Sequence, residues 1–264
     1  NTKNMAALYL TCNRNKRSIV LDLKKKSAVA AVLELAKTVD VVIHNNRPQV
    51  MDKLGLNYAA LKKVNPKIIY CGAYGYGKAG PYGDKGALDD SIQAVSGIAM
   101  LNEMVLGTPR YLPTIVADKN TAMCVVQAVC AALFHRERSG QGQEIEVPMF
   151  ETTVEFNLVE HMCGFAFEPP LGKTGFARVM QPTRKPFRTK DGYACILPYS
   201  DRNWLDFYEF TGRTEFRDDA RALANANTPH VAGLEQALDG VGQFTSSDLN
   251  GFPHGARHAP APEG

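Results

Sequence analysis

A carboxylate between an apolar segment and a helical one is the first candidate for chemistry. The segment "PTIVADKNTAM" (113–123) begins like the end of a buried strand and continues like the first turn of an apolar helix, with Asp118 at the junction. Asp is a favoured helix N-cap, and its charge suits the positive end of the helix dipole. At the mouth of a sheet the same carboxylate could act as a nucleophile, with main-chain N–H groups beside it to hold an oxyanion. The spacing alone favours the cap and leaves the nucleophile open.

Two basic side chains follow a second predicted strand. The segment "HNNRPQVMDKLG" (44–55) places Arg47 and Lys53 just after the carboxyl end of that strand, where open α/β sheets bind their ligands. The guanidinium of Arg47 could hold a phosphate with two parallel hydrogen bonds, which a lysine cannot do. Judged from these residues alone, solvated surface charges are the simpler interpretation.

A glycine-rich loop follows the next strand. Its "GYGKAG" (75–80) matches the G-x-G-x-x-G pattern of dinucleotide-binding turns. Such a turn needs a helix that begins at the third glycine, whereas Pro81, Tyr82 and Gly83 continue the loop here. We therefore expect the glycines to form turns or to let the backbone approach a ligand. There is no G-x-S-x-G elbow, and no His, Cys or Asp cluster has metal-ligand spacing, so we predict no metal site.

The elements that must position these residues alternate between strand and helix. Apolar, β-branched runs predict strands at 17–24, 39–45 and 67–74. Residues 121–138 carry apolar side chains at i, i+3, i+4 and i+7 and predict a helix, and 143–149 alternates like a strand. This alternation predicts an α/β fold, a doubly wound parallel sheet with helices on both faces.

The composition changes after residue 167. We predict one large domain over 1–167, a linker rich in Gly, Pro and basic residues over 168–190, and part of a second, smaller α+β domain over 191–264. The smaller domain restarts with a hairpin-like strand and an aromatic helix. Its last stretch, 246–264, has no periodicity and predicts a disordered tail.

The overall composition excludes several classes of protein. The 264 residues are 45% hydrophobic and 22% charged, and 30 basic against 27 acidic side chains give a net charge of +3. No strong field draws the whole chain to nucleic acid or to a membrane, and no apolar run is long enough to span a bilayer or resembles a signal peptide. Six cysteines without a C-x-x-C pair predict buried, reduced thiols and a cytoplasmic location.

Several long motifs, in this order along the chain, resemble the class III coenzyme A transferases, the CaiB/BaiF family. They are "NRNKRSIVLDLK", "NNRPQVMDKLGL", "NPKIIYCGAYGYGKAGPYGDKGALDDSIQAVSG", "PTIVADKNTA" and "ALFHRERSGQGQEIEVPMFE". The resemblance implies a Rossmann-like large domain, a smaller domain and two chains that interlock as a homodimer. It also implies an enzyme that moves coenzyme A from an acyl-CoA thioester to a small carboxylate.

The resemblance also assigns site residues. It implies that the carboxylate of Asp118 attacks the thioester to form a mixed anhydride and then carries coenzyme A as an aspartyl thioester. It further implies that coenzyme A contacts the following residues: Leu21, Asp22, Lys24, Asn45, Asn46, Arg47, Lys53, Lys85, Gly86, Ala87 and Leu88.

Two alternatives to the transferase follow from departures from the family pattern. The racemase branch pairs its aspartate with a histidine, but Leu88 occupies that position here and cannot act as an acid or base, which disfavours racemisation. The family's first strand, helix and second strand have no counterpart in the chain, nor has the second half of its smaller domain. We therefore expect a truncated member, and a non-catalytic fragment that binds coenzyme A or a partner chain is the alternative.

Overall fold

The fold consists of two compact units. The computed structural model describes residues 5–182, 184–198, 200–217, 240–245, 247–251 and 258–259. The first unit comprises Asn1–Ile92 and Ala117–Thr153, and the second comprises Gln93–Val116 and Val154–Gly264. The domain boundaries at 167 and 190 stay a prediction.

A three-stranded parallel sheet organises the first unit. Its strands are β1 (Val41–His44), β2 (Ile69–Gly72) and β3 (Gln143–Glu146), paired in the order β1-β2-β3. The central strand β2 is buried throughout, since both its edges are paired. The predicted α/β fold with a parallel sheet is confirmed. The three strands follow chain order without a reversal, so the doubly wound topology stays a prediction.

The described helices precede, separate and follow these strands along the chain. In chain order they are α1 (Ala7–Cys12), α2 (Lys26–Ala36), α3 (Pro48–Leu54), α4 (Tyr58–Val64), α5 (Asp89–Val95), α6 (Ile98–Leu106), α7 (Val116–Ser139), α8 (Met149–Leu158) and α9 (Asp201–Thr211). Local sequence explains several ends. Helix α3 has Pro48 at its first position and ends at Gly55 in the left-handed region, and Asn57 caps α4 by accepting the N–H of Ala60 at 2.9 Å.

Both faces of the sheet are covered by helices. On the face that carries Tyr70, side chains of α2, α3 and α4 form one apolar cluster, which includes Ala36, Met51, Leu56, Leu61 and Ile68. On the opposite face, Cys71 packs with Val125 of α7 and with Val147. Successive strand residues point to opposite faces, so neighbours on β2 contribute to two different cores.

Two of the expected strands are wrong. Residues 17–24 are not a strand: Ile19 and Val20 are 67% and 94% exposed, and no described strand pairs with this segment. A β-branched run has strand propensity, but a strand needs a partner for its N–H and C=O groups. The segment before Asp118 is not a strand either, because the side chain of Gln93 accepts the N–H of Leu112 and donates to the carbonyl of Thr114.

The second unit has an aromatic core beside a small antiparallel sheet. The sheet pairs β4 (Phe187–Arg188) with β5 (Tyr193–Ala194) and β5 with β6 (His258–Ala259). Phe187, Phe207 and Tyr208 are buried in its core. Within the predicted disordered tail, Ser247 lies in a turn, Asp248–Gly251 forms a 3-10 turn and β6 is paired, while residues 246, 252–257 and 260–264 lie outside the described residues.

The sequence also predicted buried cysteines and no membrane-spanning segment. Cys71 is buried, but Cys12, Cys130 and Cys195 are exposed, so the predicted burial is wrong for these three. Cys130 is exposed because it lies on the outer face of α7. Among the described residues, no helix is both long and apolar enough to cross a bilayer.

Arg136 fastens the C-terminal part of α7 to the start of the sheet. Its Nη1 donates to the carbonyl oxygens of Asp40 and Lys67, at 3.5 and 3.3 Å, and its Nη2 donates to Oδ1 of Asp40 at 2.9 Å. These residues precede β1 and β2. The guanidinium therefore satisfies carbonyl groups at the ends of two strands.

We predict that Arg136→Met lowers the free energy of unfolding by about 1–3 kcal/mol, because it removes these bonds and keeps the apolar stem. Arg138→Met is the matched control, since Arg138 lies on the same helix and contacts only the Phe134 ring, 5.3 Å away, among the contacts described for it. Arg138→Met should lower the free energy of unfolding by no more than about 0.5 kcal/mol. Urea denaturation measures both, and equal losses would contradict the assigned role of Arg136.

Candidate active site at the edge of the sheet

Asp118 lies in the first turn of α7 and is not its N-cap. The helix begins at Val116, so Asp118 is the third helical residue, and its side chain is exposed. The N–H of Asp118 donates to Oδ2 of Asp89 at 3.0 Å. The carboxylate of Asp89 therefore accepts the N–H at the start of α7, which is the capping role that the sequence suggested for Asp118. The carboxylate of Asp118 is available for another role. Its role as nucleophile stays a prediction.

Asp89 is the partner of Asp118 that the sequence did not reveal. It is the first residue of α5 and only 7% exposed. Its carboxylate lies at the start of α5 and accepts a bond from the first turn of α7, and both positions favour negative charge. Nothing in the spacing showed that Asp89 would reach a second helix 29 residues further along the chain.

The surroundings of Asp118 raise its pKa. Partial burial is the larger cause, and the nearby carboxylate of Asp89 is the second. The positive end of α7 acts in the opposite direction, but the net shift is upward. Once ionised, a carboxylate with a raised pKa is a stronger base and a better nucleophile.

The amides at the start of α7 are partly engaged already. The N–H of Val116 donates to the carbonyl of Thr114 at 2.8 Å, and the N–H of Asp118 donates to Asp89. These two groups do not serve as oxyanion donors in this conformation. The expectation that main-chain amides beside Asp118 hold an oxyanion stays a prediction.

Glycines in the loop between β2 and α5 allow close packing. A Cβ at Gly75 would lie 2.6 Å from Cβ of Ala87, and a Cβ at Gly83 would lie 2.8 Å from the carbonyl oxygen of Lys78. No helix begins at Gly80, since the chain continues in turns until α5. The loop therefore lacks the geometry of a dinucleotide-binding turn.

Arg47 bonds to Asp84, the residue just before the segment 85–88 that the resemblance assigns to coenzyme A. Its Nη1 donates to the carbonyl oxygen of Asp84 at 3.0 Å, and the amide of Gln49 also bonds to the carboxylate of Asp84. Residues 45–47 directly follow β1 and are thereby tied to 84–88 at the carboxyl edge of the sheet. Because Asp89 continues that segment and binds Asp118, three predicted parts of the site are brought together.

The segment that leads into α5 presents a cation and an exposed leucine. The Nζ of Lys85 lies 4.0 Å from the centre of the Tyr82 ring, and this ring lies 5.4 Å from that of Tyr76. Leu88 is 79% exposed, and its N–H donates to Oγ of Ser91. Gly86 and Ala87 lie between them on the same segment.

The structure does not bring every predicted contact to this place. Leu21, Asp22 and Lys24 lie in a turn in which Oδ1 of Asp22 accepts the N–H of Lys24 at 3.1 Å. Lys53 is exposed in the last turn of α3. None of the hydrogen bonds described in the structure links these four residues to Arg47, to 84–88 or to Asp118.

A polar cavity of about 120 Å³ lies on the Tyr70 face of the sheet. His44, Tyr74, Lys78 and Glu144 contribute to its wall, and Asp118 does not. Nδ1 of His44 bonds to the carbonyl of Asn46 at 3.1 Å, burial lowers the pKa of His44, and its Nε2 is buried without a hydrogen-bond partner in the described part of the chain. No feature of the sequence indicated this cavity. The described residues contain no group of three His, Cys, Asp or Glu side chains suited to a metal ion.

Comparisons with known proteins identify the family to which this chain belongs. Residues 1–246 match CoA-transferase family III, and the chain belongs to this family. A crystal structure of a CaiB/BaiF family protein from Brucella suis superposes with a TM-score of 0.77 at 30% identity, covering 94% of this chain and 68% of that one.

Two curated relatives carry names for specific reactions. The succinate–glutarate CoA-transferase of Agrobacterium fabrum is 33% identical over 237 residues, which cover 88% of this chain and 58% of that protein. The acetyl-CoA:oxalate CoA-transferase of Acetobacter aceti is 34% identical over 239 residues, which cover 88% of this chain and 61% of that protein. The chain spans about three fifths of the length of these relatives.

We predict that Asp89→Asn lowers the pKa of Asp118, because the amide oxygen still accepts the Asp118 N–H while the negative charge is gone. Burial remains, so the pKa should stay above the ordinary value. A pH titration of the ¹³C side-chain carboxyl signal measures the shift.

Asp90→Asn removes the same charge from the exposed neighbour on α5 and serves as the control. It should move the pKa of Asp118 less than Asp89→Asn does. If both substitutions shift the pKa equally, the direct contact of Asp89 is not the cause.

Proposed function

We propose that this protein transfers coenzyme A from an acyl-CoA thioester to a carboxylic acid, with Asp118 as the nucleophile. Family membership supports the class of reaction. The observation that carries the choice of residue is the position of Asp118: an exposed carboxylate with a raised pKa, at the helix start that Asp89 joins to 84–88. A nucleophile needs this exposure, which a capping side chain does not.

The first half of the reaction loads coenzyme A onto the protein. The carboxylate of Asp118 attacks the thioester carbonyl, the carbon–sulfur bond breaks, and coenzyme A leaves as a thiolate. A mixed anhydride between Asp118 and the acyl group remains. The thiolate then attacks the aspartyl carbonyl of this anhydride, which releases the donor as a carboxylate and leaves an aspartyl coenzyme A thioester.

The second half repeats these steps in reverse with the acceptor. The acceptor carboxylate attacks the aspartyl thioester, and the thiolate leaves again. It then attacks the acyl carbonyl of the new anhydride, giving the product acyl-CoA and the free carboxylate of Asp118. Each attacking group is an anion and each leaving group is an anion, so the exchange needs no external proton or oxidant.

Coenzyme A carries several phosphates, which the basic side chains of the site suit. Arg47 uses one described N–H toward Asp84, and guanidinium has five N–H donors, so others can meet a phosphate. The ammonium of Lys85 is held at the loop surface by Tyr82. The remaining proposed contacts are Leu21, Asp22, Lys24, Asn45, Asn46, Lys53, Gly86, Ala87 and Leu88. In this set Asp22 shapes a turn and does not meet a phosphate, because its carboxylate is an anion that accepts the Lys24 N–H.

The proposal extends to the assembly. We propose a Rossmann-like, doubly wound large domain, an interlocked homodimer and a cytoplasmic location. The large exposed apolar side chains of Leu8, Tyr9 and Val20 support a partner surface, since burial against another chain would remove them from water. The free state of all six cysteines agrees with a reducing compartment.

The second candidate is a chain that binds coenzyme A or a partner without catalysis. The apolar side chains exposed between residues 8 and 20 favour it, because they indicate that this chain associates with further polypeptide. Turnover separates the two functions. Measurable transfer of coenzyme A between an acyl-CoA and a dicarboxylate excludes the second candidate, and tight binding without transfer excludes the first.

We predict a covalent adduct on Asp118. Incubation with acyl-CoA should add the mass of coenzyme A less one water to the peptide that contains Asp118, as read by mass spectrometry. Asp118→Asn should give neither adduct nor transfer, whereas Asp90→Asn, which removes an exposed carboxylate of α5, should give both. Coenzyme A transfer by the Asp118→Asn variant would contradict the proposal.

We also predict that Asp118→Asn does not destabilise the protein near neutral pH. A raised pKa means that the folded state favours the protonated carboxyl group, and this stabilisation is present at low pH and lost as pH rises through the folded pKa. Replacing the ionised group by a neutral amide therefore keeps or raises the free energy of unfolding. Denaturation at neutral pH tests this, and a loss of about 0.5–2 kcal/mol would instead indicate a capping role.

A further inference from the structure

Three glutamates hold the tip of the loop between β2 and α5. The N–H of Gly77 donates to Oε1 of Glu151 at 3.0 Å, and the N–H of Lys78 donates to Oε1 of Glu146 at 2.5 Å. The ammonium of Lys78 pairs with Oε1 of Glu144, also at 2.5 Å. We call Glu144, Glu146 and Glu151 the glutamate clamp.

The glutamate clamp connects a glycine-rich loop to the rigid part of the fold. Glu144 and Glu146 are two residues apart on β3 and therefore share a face of the sheet, and Glu151 lies in the first turn of α8. The start of the loop is fixed by main-chain bonds, in which the N–H groups of Met149 and Phe150 donate to the carbonyls of residues 74 and 75. The tip has no such ladder, so side chains must restrain it against the conformational entropy of its glycines.

The fit between clamp and loop requires a glycine. A Cβ at Gly77 would lie 2.7 Å from Oε1 of Glu151, which is closer than real contacts of this kind. The carboxylate therefore reaches the main chain only because position 77 has no side chain. Beyond the tip, the carbonyl of Asp84 accepts a hydrogen bond from Arg47, and the ammonium of Lys85 lies over the Tyr82 ring.

Carboxylates close to a site for a polyanion repel that ligand and weaken its binding unless hydrogen bonds or ion pairs offset their negative charges. In the clamp each carboxylate accepts a hydrogen bond from the loop, and one is paired with an ammonium group. We infer that Glu151 and Glu146 are positioning residues for coenzyme A binding, which fix the loop tip so that residues 84–88 meet Arg47 in the geometry the cofactor needs. This inference rests on the proposed function.

The first test separates binding from chemistry. Glu151→Ala should raise KM for acyl-CoA about tenfold and change kcat by less than about twofold, because a bond to a charged group is lost away from the reacting atoms. Glu151→Gln should restore KM, since its amide oxygen still accepts the Gly77 N–H. Glu155→Ala, one turn further on the exposed face of α8, is the control and should leave KM unchanged.

Two further variants keep the test decisive if Glu151→Ala does not fold. Glu151→Asp retains the negative charge in the first turn of α8 but is one methylene too short. Gly77→Ala displaces the carboxylate while leaving Glu151 in place. Both should raise KM as Glu151→Ala does, and unchanged KM in both would overturn the inference.

Amide hydrogen exchange tests the glutamate clamp independently of catalysis. The amides of Gly77 and Lys78 should exchange faster in Glu151→Ala than in the wild type or in Glu155→Ala, in the absence of ligand. Unchanged exchange overturns the inference even in an active enzyme. A wild-type protein that neither binds nor transfers coenzyme A would instead refute the proposed function, so the two failures are distinguishable.

Discussion

The hydrogen bond from the Asp118 N–H to the buried carboxylate of Asp89 is the interaction on which the site depends. It caps one helix with the first residue of another and fixes the separation between them. It also places a negative charge beside the exposed carboxylate of Asp118, which opposes ionisation of that group. One contact thus sets both the position and the basicity of the candidate nucleophile, and the fold accepts an electrostatic cost to keep it.

The loop before α5 connects this contact to the other residues of the candidate site. Its glycines let the chain fold tightly enough for Gly75 to touch Ala87, and its far end meets Arg47 through Asp84. The parallel sheet supplies the common edge from which these segments leave. Stability and function therefore share residues here, since the bonds that order the loop also arrange the groups that would meet coenzyme A.

Much of this arrangement could be predicted from sequence. Hydrophobic periodicity indicated β1, β2, β3 and α7, because burial on both faces of a parallel sheet leaves a clear apolar signal. It failed at residues 17–24, where the propensity of Ile19 and Val20 for a strand found no pairing partner in the described residues. Asp118 and Arg47 were found through motifs. Asp89 and Glu151 were missed because their partners, Asp118 and Gly77, are distant in sequence, and local patterns do not report such contacts.

Helix α7 carries Arg136 near one end and Asp118 at the other. These residues are about 27 Å apart along a helix that rises 1.5 Å per residue. A tilt of this helix by only about 2° about the Arg136 bonds would move Asp118 by roughly 1 Å, and for a residue in the proposed role of Asp118 such a displacement could cost about a hundredfold in rate. Substitutions at the strand starts near Asp40 and Lys67 therefore have a mechanical route to the chemistry, even though they lie at the opposite end of the sheet.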